Sequence, residues 1–377
     1  MGPRILVDEN VALAREAFGD LGDVELFAGR SLRAADVRDA TALVVRSVTR
    51  VDERLLAGSA VRFVGTATIG TDHVDVDLLA RGGIAFAYAP GSNARSVAEY
   101  VTAALLELEV ERGRSWEGAV LGVVGVGHVG TLVVEQAAAL GMEVLCCDPP
   151  RAEREGDAGF LPLARVLDAA DAVTLHTPLA VAGRHATHHL IGARELARLR
   201  PGAVVLNTSR GPVADGAALL AALESGRLAA AVLDVWEGEP APDLALVRRT
   251  SLATPHIAGY SLDGKVAGTR AIARALADFL GVPPPVGAAL PRAGRVSIAD
   301  TGRAALRSAV RSAYAIRDDD RRLRSAVVLE PRERAAAFDA LRRDYPVRRE
   351  FAAYEVETPG LADRDRARLA RFGFALG

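Results

Sequence analysis

The sequence predicts an α/β protein with two doubly wound parallel-sheet units followed by a smaller C-terminal α+β unit. Three observations carry this. Short apolar runs alternate with helical stretches over residues 1–95, and the same alternation returns over 119–254. The Pro-rich stretch "GVPPPVGAALP" (281–291) then sets off residues 292–377. At 377 residues the chain exceeds what one core usually serves.

In the first stretch "RILV", "ALVVRS", "RFVGTAT" and "GIAFAYA" read as strands, and "VALAREAFGDLG" as a helix. Asp8 or Asn10 in "LVDEN" reads as the cap of that helix. Residues 96–112, "SVAEYVTAALLELEVER", have apolar positions at helical spacing and no breaker, so one long helix joins the two units. "AVLGVVGVG", "EVLCCD", "AVTLH", "AVVLN" and "AAVLDVW" are the later strands, and residues 262–280 return as a helix. The tail has strands near 295–299 and 351–357, and helices near 302–316, 331–343 and 362–371. The expected domains are 1–95 with 256–282, 96–255, and 292–377.

Bulk properties exclude several classes. A net charge of −2 gives no global field for nucleic acid or an anionic membrane. No apolar run reaches the roughly 18 to 20 residues of a membrane helix. The N-terminus lacks a signal-peptide apolar stretch, and the two cysteines are adjacent, so a disulfide framework is excluded and a cytoplasmic location expected. Cys146 and Cys147 read as packing residues. Lys265 is the single lysine in an Arg-rich chain, a composition bias.

"GVGHVG" (125–130) is a G-x-G-x-x-G between a strand and a helix, and the next strand ends in Asp148, 18 residues beyond Gly130. Gly125 permits the tight turn, Gly127 lets backbone approach a pyrophosphate, and Gly130 lets helix and strand pack closely. His128 and Val129 open the helix, whose free N–H groups favour phosphate. Asp148 would accept from ribose hydroxyls and repel a 2′-phosphate, so the expected cofactor is NAD and the unit is Rossmann-like. Arg151 and Arg154 lie just downstream and soften that preference.

Hydride transfer to a nicotinamide needs a base, and histidine is the default near neutral pH. Of seven histidines, His185, His188 and His189 lie in a polar loop, His128 in the Gly loop, His176 at a strand end and His73 in the first unit. His256 in "TPHIAGY" falls where the chain crosses between units, and clefts between domains are where ligands bind. A Glu would fix its tautomer. Glu237 and Glu239 of "DVWEGEP" are the candidates, with Glu239, before Pro240, preferred and Glu237 left solvated. Arg210 in "NTSRGPVAD" would hold a carboxylate through two hydrogen bonds. No metal is expected.

The stretches "GTDHVD", "GVVGVGHVG", "NTSRGPVAD", "DVWEGEP" and "TPHIAG" resemble the D-isomer-specific 2-hydroxyacid dehydrogenases across residues 1–282. The resemblance implies that Arg210 and Glu239 are active-site residues and His256 the proton donor and acceptor. It implies that Ser47, Thr68 and Tyr260 contact substrate. It also implies that NAD meets Asp148, Thr177, Asp234, Gly259 and the segment Thr208, Ser209, Arg210. A phosphorylated 2-hydroxy acid is the expected substrate. Backbone N–H groups from Thr68 to Gly70 would take its carboxylate, and Arg46 its phosphate. Pro212 after Arg210–Gly211 departs from the usual pattern. The tail carries no catalytic motif, so with the family it reads as a dimerisation domain, and a homodimer is expected. "LRRDYPVRRE" (341–350) reads as a solvated basic helix end, with Arg348 or Arg349 reaching a partner's phosphate site as the alternative. A cofactor-responsive binding protein is the rival of another class, and the intact Arg210, Glu239, His256 set argues against it.

Overall fold

The structure is a computed structural model that describes residues 2–287, 289–357 and 360–377. Contacts divide it into two compact units, Met1–Asn93 with Ser261–Pro291, and Ala94–Tyr260 with Arg292–Gly377.

The first unit holds β1 (Arg4–Asp8), β2 (Asp23–Phe27), β3 (Ala42–Val45), β4 (Phe63–Thr66) and β5 (Ala85–Tyr88). They form one parallel sheet in the order β2-β1-β3-β4-β5. The inner strands β3 and β4 are buried throughout, as expected of apolar runs covered on both faces. Order reverses between β1 and β3, so Asp8 and the Arg46–Ser47 step lie at the carboxyl edge where open α/β sheets bind ligands. The helix Leu262–Leu280 lays Ile272, Ala273 and Leu276 on a core with Ile5, Val44 and Phe63, and Ser261 caps it by accepting from Gly264 N at 2.9 Å. Neither Asp8 nor Asn10 caps the helix Ala14–Phe18, whose N-cap is Leu13 in a left-handed conformation. Asp8 instead accepts from the Asn10 backbone at 2.8 Å and from its side chain at 3.2 Å, because the chain turns back before the helix begins.

The second unit holds β6 (Val120–Val124), β7 (Glu143–Cys147), β8 (Ala172–Leu175), β9 (Ala203–Asn207), β10 (Leu228–Leu233) and β11 (Leu252–Ala253). All pair in parallel, in the order β11-β10-β9-β8-β6-β7. The reversal between β6 and β8 puts the glycine loop after β6 at the topological switch point. The long helix runs Ala94–Arg112, two residues further upstream than its sequence pattern shows, and is buried along most of its length.

Residues 256–260 make their backbone bonds in this second unit. His256 N donates to Asp234 O at 2.6 Å, and Ile257 and Ala258 N donate to the Asp234 carboxylate at 2.8 and 2.9 Å. The sequence pattern grouped them with the first unit because they follow the last strand signal; the carboxylate beneath them is what holds them here.

The tail packs on the same unit. Its strands β12 (Gly294–Ser297), β13 (Tyr354–Glu357) and β14 (Ala375–Leu376) pair in parallel. Helices Gly302–Ala313 and Asp363–Arg371 pack on these strands, while Ile316–Val327 packs on β11 and on Pro331–Arg343. Leu306, Val310, Tyr314 and Phe351 share one core with Tyr100 and Leu105 of the long helix. Paired charges line the same contact: Arg311 donates to Glu107 at 2.5 and 3.0 Å, and Arg303 donates to Glu109 at 2.8 Å. Burial would raise the Glu107 carboxyl, and the Arg311 and Arg317 guanidiniums outweigh it, so its pKa falls below the usual range. The helix Ile316–Val327 gives no signal in the sequence because its buried face carries Asp319 and Asp320 among Ile316, Leu323 and Val327.

Candidate active site

The strand-end residues of the second sheet converge because the register aligns β8, β9 and β10 at Leu175, Asn207 and Leu233. After β11 the chain turns at His256, whose φ of 58° is a conformation that non-glycine residues adopt rarely. The turn aims the imidazole at the loop after β10. His256 Nδ1 lies 2.8 Å from Glu239 Oε2, and Glu239 Oε1 accepts from Trp236 N at 2.8 Å. Burial would push the Glu239 carboxyl up, but His256, the Trp236 amide and the Arg342 guanidinium hold it below the usual range. An ionised Glu239 makes Nδ1 the protonated nitrogen, which leaves Nε2 as the acceptor. Among the described residues Nε2 has no hydrogen-bond partner. That is the arrangement of a general base. Trp236 is buried behind the pair and donates Nε1 to Thr254 O at 2.9 Å.

Arg210 comes from the loop after β9. Asn207 Nδ2 fixes its carbonyl at 3.0 Å, and its own Nη1 donates to Ser209 O at 2.9 Å. Gly211 is required next to it, since a Cβ there would lie 2.0 Å from the Trp236 carbonyl carbon. This close approach sets the Arg210 loop against the loop that carries Glu239. Asp234 is 1% exposed and accepts from Thr254 Oγ1 at 2.6 Å as well as from Ile257 and Ala258 N. Its first task is to hold the His256 turn, and one lone pair on Oδ2 is left for another donor.

The cofactor residues sit at the switch point. Gly125 has φ 86°, and a Cβ on it would meet the His176 carbonyl at 2.8 Å. A Cβ on Gly130 would meet Gly125 O at 2.1 Å. Nothing lies within 4 Å of a Cβ on Gly127, so the cradle over the N-terminus of the helix His128–Ala139 is open. His128 is exposed there and Val129 half-buried. Asp148 Oδ2 accepts from Val126 N at 2.8 Å and Oδ1 caps the next helix through Arg151 N at 2.9 Å. Each oxygen keeps a second lone pair for a ribose hydroxyl. Thr177 Oγ1 is buried with no partner, as a hydroxyl awaiting a ligand would be. These residues fit a dinucleotide.

Thr208 and Ser209 present backbone instead of side chain, since Thr208 Oγ1 meets His176 Nδ1 at 3.2 Å and Ser209 Oγ donates to Asn207 at 2.8 Å. Burial drives His176 down to about 3, so this histidine is a neutral strut. Gly259 and Tyr260 are half-buried after the His256 turn. Burial raises both thiols, Cys147 to about 11, in keeping with packing residues.

In the first unit Thr66 Oγ1 bonds Thr68 Oγ1 at 2.7 Å and His73 Nε2 at 3.0 Å, and Thr68 Oγ1 lies 3.1 Å from Gly70 O. Arg46 donates to Asn10 O at 3.0 Å, and Ser47 is exposed.

Glu237 stays partly exposed to solvent, as expected, and is also engaged: it accepts from Gly216 N at 2.8 Å and lies 2.6 Å from His189 Nε2, which ties the histidine loop to a helix start. The reading of the basic helix end is corrected. Arg348 is not part of a solvated helix end. It is 5% exposed, donates to Ala258 O at 3.1 Å and Ser96 O at 2.7 Å, and stacks 3.8 Å from the Tyr314 ring. It therefore braces the His256 loop of its own chain. Arg349 is also buried, 8% exposed. Arg342, in the same stretch read as a solvated basic helix end, lies 5.9 Å from the Tyr260 ring.

Comparison with known proteins agrees with this site. Residues 84–258 match the family described as D-isomer specific 2-hydroxyacid dehydrogenase, NAD binding domain, and residues 291–373 match a domain of unknown function (DUF3410). The chain is 46% identical to an erythronate-4-phosphate dehydrogenase of Marinobacter nauticus, over 99% of each chain. It is 50% identical to one from Salinibacter ruber, over 95% of this chain and 94% of that one. Among solved structures, a D-lactate dehydrogenase of Aquifex aeolicus complexed with NAD and lactic acid covers 74% of this chain and 95% of its own, at 25% identity and TM-score 0.62. The chain belongs to the D-isomer-specific 2-hydroxyacid dehydrogenases and is an NAD-dependent dehydrogenase acting on a CH–OH group.

Proposed function

We propose that the protein oxidises 4-phospho-D-erythronate to 2-oxo-3-hydroxy-4-phosphobutanoate in pyridoxal 5′-phosphate biosynthesis. The observation that carries the chemistry is the 2.8 Å His256–Glu239 contact, which leaves Nε2 free to take a proton. The substrate follows from the relatives, which match the tail as well as the dehydrogenase units.

NAD, when bound, supplies the hydride acceptor. His256 Nε2 takes the proton of the C2 hydroxyl and Glu239 stabilises the imidazolium that results. Arg210 holds the C1 carboxylate and the C2 oxygen through its planar fork. The glycine cradle with Asp148, Thr177 and the Thr208–Arg210 backbone binds the dinucleotide, and Asp234 and Gly259 face its nicotinamide end. Thr68, Gly70, Ser47 and Arg46 contribute to substrate binding. The enzyme works as a cytoplasmic homodimer. Among the described residues no helix is long and apolar enough to cross a membrane.

A substrate panel at fixed NAD, followed by NADH absorbance, tests this. Turnover of 4-phosphoerythronate well above that of 3-phosphoglycerate and D-lactate is expected. A preference for either of the others would replace the substrate, and no turnover with any would favour a binding role.

A further inference from the structure

We infer that Arg342 is a substrate-binding residue: the C-terminal tail delivers its guanidinium beside Tyr260, on the loop that carries His256, where with Tyr260 it holds the distal phosphate of the substrate. The inference rests on the proposed substrate being a phosphorylated 2-hydroxy acid, and it gives the domain of unknown function at 291–373 a role in the reaction.

The geometry begins with the helix Pro331–Arg343, which carries Arg342 in its last turn. The guanidinium carbon lies 5.9 Å from the centroid of the Tyr260 ring, and that ring meets Tyr345 edge-on at 5.8 Å. Tyr345 in turn donates its hydroxyl to Asp319 at 2.6 Å, so the ring under Arg342 is braced from the tail. Arg348, six positions along, holds the carbonyl of Ala258. The segment from Arg342 to Arg348 is thus built around the loop that carries His256 and Tyr260.

The charge of Arg342 calls for an anion. Its Nε is buried without a hydrogen-bond partner. A buried donor left unpaired is costly, so a ligand oxygen there is favoured. The carboxylates it senses are already engaged: Glu239 by His256 and the Trp236 amide, Asp234 by Thr254 and two backbone amides. Burial opposes the Arg342 charge, and Tyr260, Glu239 and Asp234 outweigh it, so the guanidinium stays fully charged. In a 4-phosphorylated 2-hydroxy acid the phosphate-bearing carbon is two carbons beyond the C2 whose proton His256 takes. A cation held against Tyr260, four residues on from His256, is therefore suitably set off from the base for that phosphate, and guanidinium is well suited to phosphate oxygens.

The test uses the full chain with Arg342→Gln and Arg342→Lys, each assayed with 4-phosphoerythronate and with D-erythronate. For Arg342→Gln we expect KM for the phosphorylated substrate to rise about 10- to 100-fold, the loss of a charged hydrogen bond. Activity on D-erythronate should fall far less than activity on the phosphorylated substrate, and the pH profile should move little, because His256 and the Trp236 amide still hold Glu239. Arg342→Lys, which keeps the charge and loses the fork, should fall between the two. Inorganic phosphate should compete with substrate in the wild type and lose potency in both variants, a readout that holds whichever phosphorylated acid the wild type prefers. Equal losses on both substrates, or a shifted pH profile with unchanged KM, would make Arg342 a positioning residue for Glu239 and overturn the inference. Unchanged KM and unchanged phosphate inhibition would also overturn it. Failure of the wild type to oxidise 4-phosphoerythronate would count against the proposed substrate and leave the phosphate-inhibition comparison standing.

Discussion

Replacing Glu239 by glutamine exchanges one oxygen for an NH2 and reverses the proton pattern of His256. In the wild type Oε2 accepts from Nδ1 at 2.8 Å while Oε1 accepts from Trp236 N at 2.8 Å. The substituted amide keeps its oxygen on the Trp236 N–H, because that backbone donor has no alternative geometry. Its NH2 then faces Nδ1, which must become the acceptor, and the ring proton moves to Nε2. The base is lost in the tautomer that remains, and the imidazolium has no carboxylate beside it. Where a carboxylate orients a catalytic His in this way, its amide isostere costs roughly 10⁴ in kcat, and loss of an acid–base group costs roughly 10²–10⁴. We expect Glu239→Gln to lower kcat by about 10³ with NADH binding unchanged. Stability should change by under about 1 kcal/mol, since the Trp236 bond survives and the pair is partly exposed. The assay is kcat and KM from NADH absorbance across pH, with NADH affinity by fluorescence and folding by thermal melting. A kcat within about fivefold of wild type, with NADH affinity and fold intact, would refute the assignment of the pair.

Three other outcomes are expected. Asp148→Ser should weaken NAD and admit NADP, because the carboxylate that repels a 2′-phosphate is gone and Arg151, 2.7 Å from Val126 O, lies beside the site; calorimetry with both cofactors checks it, and an unchanged preference would count against Asp148. Gly130→Ala should abolish NAD binding and lower stability by about 2 kcal/mol or more, since its Cβ would lie 2.1 Å from Gly125 O; a melt and a binding titration at wild-type values would contradict this. Lys265, half-buried and beside Arg46, has its amine lowered to about 8 by desolvation first and by the Arg46 charge second. The amine is protonated below that pH and reactive above it, so acylation of this single lysine, followed by peptide mass spectrometry, should rise with a midpoint near 8, and a midpoint near 10.5 would refute it.

Much of this was legible along the chain. Buried parallel strands read as short, mostly apolar runs without polar alternation, so β3, β4, β8 and β9 stand out. The glycine loop is legible because each glycine answers a local steric demand. The partner of His256 could be narrowed to two glutamates by spacing alone. The proline after Glu239 already favoured it, and in the fold Glu239 meets His256 at 2.8 Å while Glu237 turns the other way to cap Gly216. The helix Ile316–Val327 escaped notice because its inward acids look like a solvated surface. Inside, Asp320 accepts from Ala253 N at 2.8 Å, and Asp319 from Tyr314 Oη and Tyr345 Oη, contacts no one-dimensional pattern encodes.

Residue order alone dictates the α/β class, the dinucleotide loop and the candidates for base and carboxylate-binding arginine, because these depend on periodicity and on residue types a few positions apart. The folded chain settles the rest: that Glu237 caps Gly216, that Asp234 holds the His256 turn, and that Arg342 and Arg348 come to the same loop from about ninety residues away (348 − 258 for the Arg348–Ala258 bond). The physical reason is that a buried charge is placed by whatever donors and acceptors the packed core leaves open, and those are known only once the chain has closed on itself.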